Sequence, residues 1–170
     1  TRMTIEPLSF DIFAGYVLTK DDLLQTVSTT APIVYSTFVQ EYTNDLHIGG
    51  RIGYDCGGWL RVEADARYDY WTCTNRDYLM MRPEVTVNAN IEIYPIKSLI
   101  FKAGYNFTRY AKGKTTGRIN DKHDLYARIS YSINRYFGAF IQGDNLLNSN
   151  YFDYAGYYTR GIRGMLGVTM

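Results

Sequence analysis

The sequence has little of what marks several common protein classes. Its 170 residues contain two cysteines and four prolines, and the formal net charge is only +1. Because such a balanced charge provides no basic surface for nucleic acid, we expect no nucleic-acid partner. Two cysteines without metal-motif spacing indicate neither a disulfide framework nor a zinc site. The chain also lacks any run of roughly 18 to 20 apolar residues, which excludes a membrane-spanning helix.

Aromatic residues and glycine are what the sequence has in abundance. It contains 17 Tyr, eight Phe and 15 Gly residues. Tyr is common where one side of a wall is apolar and its rim is wet. The mean hydropathy is −0.26, as expected for strands in which apolar and polar residues alternate and average out.

Alternation of apolar and polar residues with a period of two dominates the chain. It is clearest from Trp59 to Trp71, from Pro83 to Tyr94 and from Asp124 to Ile133. The pattern predicts an all-β fold, an antiparallel up-and-down transmembrane β-barrel. We predict eight strands, at about residues 5–19, 33–55, 59–72, 79–94, 98–111, 122–133, 136–146 and 156–170.

The predicted connections alternate in length, which is typical of outer-membrane barrels. Short turns at 56–58, 94–97 and 134–135 would face the periplasm. Longer polar loops at 20–32, 72–78, 112–121 and 147–155 would face the outside. This topology places Cys56 and Cys73 at opposite ends of one strand, too far apart to form a disulfide.

The polar face of the third predicted strand is nearly all charged, so it must be in contact with water. Long strands, bulky apolar positions and aromatic residues near the strand ends favour lipid on the opposite face. A soluble lipocalin-like barrel with the pattern turned inside out is the alternative. The candidate lumen-facing, ligand-contacting residues are Arg61, Glu63, Asp65, Arg67, Asp69 and Arg128.

The C-terminal part of the chain resembles TonB-dependent outer-membrane receptors. The resemblance lies in Asp144-Asn145-Leu146-Leu147-Asn148, Tyr151, Gly156-Tyr157 and Arg160-Gly161, followed by an alternating last strand. In that family an Asn-Leu-x-Asn-x-x-Tyr stretch precedes a Gly-Tyr-Pro-x-x-Gly-Arg segment and a strand that ends in an aromatic residue. Here Tyr158 replaces the Pro, and Met170 is the last residue.

The resemblance implies a location in the bacterial outer membrane and a role in uptake of a bulky nutrient (an iron chelate, haem, cobalamin, a glycan or a peptide). Residues 1–170 would be the C-terminal segment of a barrel of about 22 strands, without its plug domain. TonB would then be a partner only through that plug. Leu166, Val168 and Met170 would carry the signal read by the barrel-assembly machinery.

We find no catalytic or metal-binding constellation in the sequence, and we expect no cofactor and no enzymatic activity. Both histidines, His47 and His123, are interpreted as solvated. The basic loop from Thr108 to Asp121 is interpreted as solvated, with contact to lipopolysaccharide as the alternative. One further alternative for the whole chain is a self-contained eight-stranded outer-membrane barrel of structural or adhesion type.

Overall fold

The computed structural model describes residues 2–5, 7–27, 36–114, 119–154 and 157–169. Nine strands form one sheet, and each strand pairs with its neighbours in antiparallel orientation. The prediction of an all-β, antiparallel up-and-down architecture is confirmed. The sheet strands, in order, are β1 (Arg2–Ile5), β2 (Leu8–Val27), β3 (Ser36–Cys56), β4 (Leu60–Cys73), β5 (Pro83–Ile96), β6 (Leu99–Tyr110), β7 (Lys122–Ser132), β8 (Gly138–Asp144) and β11 (Arg163–Thr169).

Two small elements lie outside this sheet. A 3-10 helix at Arg76–Leu79 connects β4 and β5, and β9 (Phe152–Tyr154) pairs with β10 (Tyr157–Tyr158) in a separate hairpin. The sequence predicted a loop or part of a longer strand at these positions. A helix of four residues and strands of two or three residues are too short to produce a recognisable pattern. Within the described ranges no helix is long and apolar enough to cross a membrane.

The first long strand continues beyond its predicted end. Polar residues from Lys20 onward interrupt the alternation and predicted a loop, but β2 continues to Val27 in register with Ser36 of β3. A register shift between Thr19 and Asp22 absorbs the irregularity, and Asp21 has a positive φ of 55° there. This is how a β-bulge preserves pairing on both sides of an extra residue.

Burial in this sheet is the inverse of that in a soluble protein. Asp45 and Asp69 on the polar face are each only 3% exposed, whereas their apolar neighbours Leu46 and Tyr70 are 55% and 48% exposed. An apolar row that packs in a closed interior, as a lipocalin-like barrel requires, would show the opposite. The exposed apolar face therefore fits contact with hydrocarbon, and the polar face lines the inner side of the wall.

The buried apolar contacts lie at the long-loop ends of the strands rather than in the wall. Leu24, Leu79 and Ala111 form one cluster, against which Trp71 and Cys73 pack. A second cluster consists of Met80, Tyr110 and Ile119. The first cluster therefore holds the 3-10 helix and the connection after β6 against the long-loop ends of β2 and β4.

The two ends of the sheet are open in the described part of the chain. β1 pairs only with β2, and β11 pairs only with β8. Cys56 and Cys73 lie at opposite ends of the β3–β4 hairpin and are both free thiols, as the predicted topology requires.

The orientation of the sheet predicts opposite effects for two neighbouring positions in β5. Ile91 lies on the apolar face opposite Val62, and Asn88 lies on the polar face opposite Asp65. Ile91→Lys should lower the free energy of unfolding in lipid vesicles by about 2–4 kcal/mol, because it places a charge in hydrocarbon. Asn88→Lys, next to the Asp65 carboxylate, should change it by less than about 1 kcal/mol. Similar losses for both variants in equilibrium unfolding would contradict this orientation.

Candidate lumenal site

The register brings all six predicted lumen residues onto one face of the sheet. Arg61, Glu63, Asp65, Arg67 and Asp69 alternate along β4, and Arg128 of β7 reaches the same face through cross-strand pairing with Lys102 of β6. They do not form a single site. Arg61 and Arg128 belong to a belt near the short turns, and Arg67 and Asp69 belong to a cluster nearer the long loops. Glu63 and Asp65 lie between these two groups on β4 and belong to neither.

The charge belt crosses six strands at one level. Cross-strand pairing joins its members in the order Asp55, Arg61, Glu92, Lys102, Arg128 and Gln142. Arg61 Nη2 lies 3.1 Å from Asp55 Oδ2, and Lys102 Nζ lies 2.5 Å from Glu92 Oε1. Arg128 donates to Gln142 Oε1 at 3.4 Å, and its guanidinium lies 3.8 Å from the centre of the Phe140 ring. Within the belt Asp55 pairs with Arg61 and Glu92 pairs with Lys102, whereas Arg128 has only neutral partners; the paired side chains stay partly hydrated.

The second group is a four-residue cluster of Asp45, His47, Arg67 and Asp69. His47 Nδ1 lies 2.8 Å from Asp45 Oδ2. Arg67 donates from Nη2 to the same oxygen at 3.0 Å, and from Nε to Asp69 Oδ1 at 2.7 Å. Both carboxylates are almost completely buried, whereas the Arg67 side chain is 38% exposed. One cation therefore bridges two carboxylates that water barely reaches.

A glycine on the neighbouring strand makes room for the imidazole in this cluster. Gly15 of β2 pairs with His47 of β3. A Cβ at position 15 would lie 2.5 Å from His47 Nε2, closer than real Cβ atoms approach. The ring can therefore lie across the β2 backbone only because residue 15 has no side chain.

The interpretation of both histidines as solvated is wrong. The His47 side chain is 15% exposed and hydrogen-bonds a buried carboxylate. His123 Nδ1 lies 2.7 Å from Tyr105 Oη, and its ring centre lies 5.1 Å from that of Phe107. Alternation in the sequence places His47 on the polar face, but only the register between β3 and β4 shows that it meets Asp69.

A third polar group, which the sequence analysis did not identify, ties the long-loop ends together. Arg82 Nη2 donates to both oxygens of Asp22 at 2.5 Å, and Thr43 donates to Asp22 Oδ2 at 2.7 Å. The Arg82 guanidinium also lies 5.2 Å from the centre of the Trp71 ring, and Trp71 Nε1 donates to the carbonyl of Pro83 at 2.6 Å. These contacts hold the extended β2–β3 hairpin against the segment that leads into β5.

Cys73 belongs to the same end of the molecule. Counted from Leu60, it lies beyond the roughly ten residues with which a strand crosses a bilayer. Burial raises the pKa of its thiol, so the sulfur stays protonated near neutral pH. The thiol then donates a hydrogen bond to the carbonyl of Asn75 at 2.9 Å.

The proposed barrel-assembly residues are only partly within the described ranges. Leu166 and Val168 lie on the apolar face of β11, with exposed fractions of 80% and 69%. Met170 lies outside the described residues. The exposed row fits an outward-facing strand, and its recognition by the assembly machinery stays a prediction.

Comparison with known proteins identifies the fold. No known family and no curated protein matches the chain by sequence. Among solved structures, the chain is similar to OmpT of Vibrio cholerae, with a TM-score of 0.61 and 12% identity over 98% of this chain and 52% of that one. It is also similar to the copper transporter OprC, with a TM-score of 0.67 and 10% identity over 98% of this chain and 29% of that one.

The fold is that of an outer-membrane β-barrel. A variant of the Vibrio cholerae protein that lacks loop L8 gives the same result, with a TM-score of 0.55 over 85% of this chain and 45% of that one. The predicted location in the bacterial outer membrane agrees with these neighbours. The chain spans only about half, or less, of the length of each.

The prediction that the chain has no enzymatic activity is wrong, because the sequence does not justify that conclusion. The OmpT proteins share this barrel scaffold with it at 12–13% identity. A scaffold of this kind supports unrelated functions, and catalysis depends on the residues placed on it rather than on the fold. The absence of a sequence motif therefore does not exclude catalysis here.

Two arginines of β4 provide a matched test of the charge arrangement. Arg67→Gln removes the cation between two buried carboxylates and should lower the free energy of unfolding by about 3 kcal/mol. Arg61→Gln removes the partner of Asp55, whose side chain is 48% exposed, and should cost at most about 1 kcal/mol. Equilibrium unfolding of both variants in the same detergent measures the difference. Equal losses would show that the Arg67 pairs are hydrated like those of Arg61.

Proposed function

We propose that this chain is part of the barrel wall of a TonB-dependent outer-membrane receptor, which takes up a bulky nutrient. The nutrient class is an iron chelate, haem, cobalamin, a glycan or a peptide. The C-terminal motif from Asp144 to Gly161 supports the family, and the outer-membrane barrel fold is compatible with it.

The open sheet is the observation that carries the proposal. A self-contained eight-stranded barrel closes by pairing its first and last strands. In the described residues β1 and β11 each have one partner, and unpaired edges of this kind recruit further strands. Nearly the whole chain, 98%, also matches only 29% of the OprC chain. Both facts fit a segment of a much larger barrel.

The polar face fits the interior of such a barrel. A large outer-membrane transporter surrounds a lumen that is filled by a plug rather than by wall side chains. The charge belt has two acidic and three basic side chains, so it can line a wet lumen with only a small excess of positive charge. Its partly exposed members, Arg61, Asp55 and Lys102, are available to hydrogen-bond a plug domain or a passing nutrient.

Outside the lumen, the partners that we propose follow from charge and position. Lipid would cover the apolar face. The described residues of the basic loop, Arg109, Lys112 and Lys114, leave β6 at its long-loop end and can contact the phosphates of lipopolysaccharide. OprC is a copper transporter. Because the two chains are only 10% identical, we do not extend copper to the present chain and propose its cargo by class alone.

Energy coupling provides the test of this function. In cells that produce the complete natural protein, uptake of a cargo from one of these classes should require both TonB and the proton gradient. We expect the uptake rate to fall to the level of the gene-deletion strain when TonB is absent. Labelled ferric chelates, haem and cobalamin are the probes.

The reading frame provides the control for that experiment. The proposal requires a plug domain and further strands elsewhere in the natural protein, because the described residues form neither a plug nor a closed wall. A reading frame that starts at this point, with β1 paired to β11, would support the self-contained barrel of structural type instead. Uptake that continues without TonB would contradict the proposed energy source. It would not contradict the assignment of the chain to an outer-membrane β-barrel.

A further inference from the structure

We propose that Asp45, His47 and Asp69 form a binding site for a divalent transition-metal cation on the lumen wall. The proposal goes beyond the uptake function and does not depend on TonB or on the identity of the nutrient. It requires only that the polar face of β3 and β4 is accessible to ions from the lumen.

The three side chains offer a suitable ligand set. One ligand atom from each residue, an imidazole nitrogen and two carboxylate oxygens, lies within 4.8 Å of the other two. Imidazole suits zinc, copper, iron and nickel, and carboxylates also serve zinc and manganese. Magnesium and calcium instead favour sets made of oxygen alone. The mixture therefore points to a first-row transition ion rather than to an alkaline-earth ion.

A buried oxygen without a partner in the same cluster is an independent observation that favours a cation ligand. Asp45 Oδ1 is buried and has no hydrogen-bond partner among the described residues, although Asp45 Oδ2 bonds both His47 and Arg67. Asp45 itself is only 3% exposed. A buried carboxylate oxygen without a partner is unfavourable, and a metal ion bound by Asp45 and Asp69 would satisfy it.

Arg67 is the rival of that metal ion. Its guanidinium already bridges the two carboxylates, and the cluster could be a purely structural ion-pair network. However, the Arg67 side chain is 38% exposed. A depression of about 260 Å³ lies beside it, lined by Arg67, Asp69, Trp71, Pro83 and Thr86. The arginine therefore has space to leave the carboxylates when a cation of higher charge arrives.

This competition predicts opposite effects of two substitutions on zinc affinity. Loss of a ligand should weaken binding, and loss of the rival cation should strengthen it. A structural network predicts neither effect, because zinc would not bind there at all.

Zinc alone, titrated calorimetrically into the chelator-treated natural protein in detergent, is the probe. Wild type should bind one zinc ion that His47→Asn and Asp69→Asn bind at least about tenfold more weakly. His123→Asn and Asp11→Asn are the matched controls, since His123 faces Tyr105 and Asp11 lies opposite Arg51, away from the cluster. Both should bind zinc as wild type does.

Arg67→Gln keeps the proposal testable if a ligand variant fails to fold. We expect it to bind zinc more tightly than wild type, and zinc to raise its unfolding temperature more than that of Arg61→Gln. Identical zinc titrations for wild type, His47→Asn and Asp69→Asn would overturn the proposal. So would zinc binding by Arg67→Gln that is no stronger than binding by wild type.

Discussion

Hydrocarbon accepts no hydrogen bonds, and the rest of this structure depends on that constraint. A chain in contact with lipid must pair its backbone groups internally and present apolar side chains outward. The long, continuous antiparallel ladder from β2 to β8 meets the first requirement. The exposed row that includes Leu46 and Tyr70 meets the second. Charges in the membrane-spanning part of the strands must then collect on the opposite face.

Charges that share one face must be neutralised there, and the structure does so in two ways. Near the short turns the belt spreads charges of both signs across neighbouring strands, where water still reaches Asp55 and Arg61. Nearer the long loops, Asp45 and Asp69 are buried and depend on Arg67. The difference in hydration explains why equivalent arginines on one strand should differ in their effect on stability. The same difference is why the metal site that we propose lies in the buried cluster rather than in the belt.

Several expectations from the sequence were too simple, each for a local physical reason. The bulge near Asp21 extends β2 through a segment whose polar residues predicted a loop. His47 is polar in the sequence but is packed beside Gly15 in the structure. The absence of a catalytic motif did not justify excluding an enzyme, because a barrel scaffold does not determine chemistry.

The amino-acid sequence by itself determined the central parts of the long strands, their two faces and the antiparallel architecture, because a period of two is a local property of each strand. It also placed Arg61 through Asp69 on the polar side. Only the tertiary structure decided which polar residues meet. His47 and Asp69 are neighbours through the register of β3 and β4, and Asp22 and Arg82 meet across the long-loop ends. Register and loop packing join residues far apart in the chain, and no local pattern records those pairings.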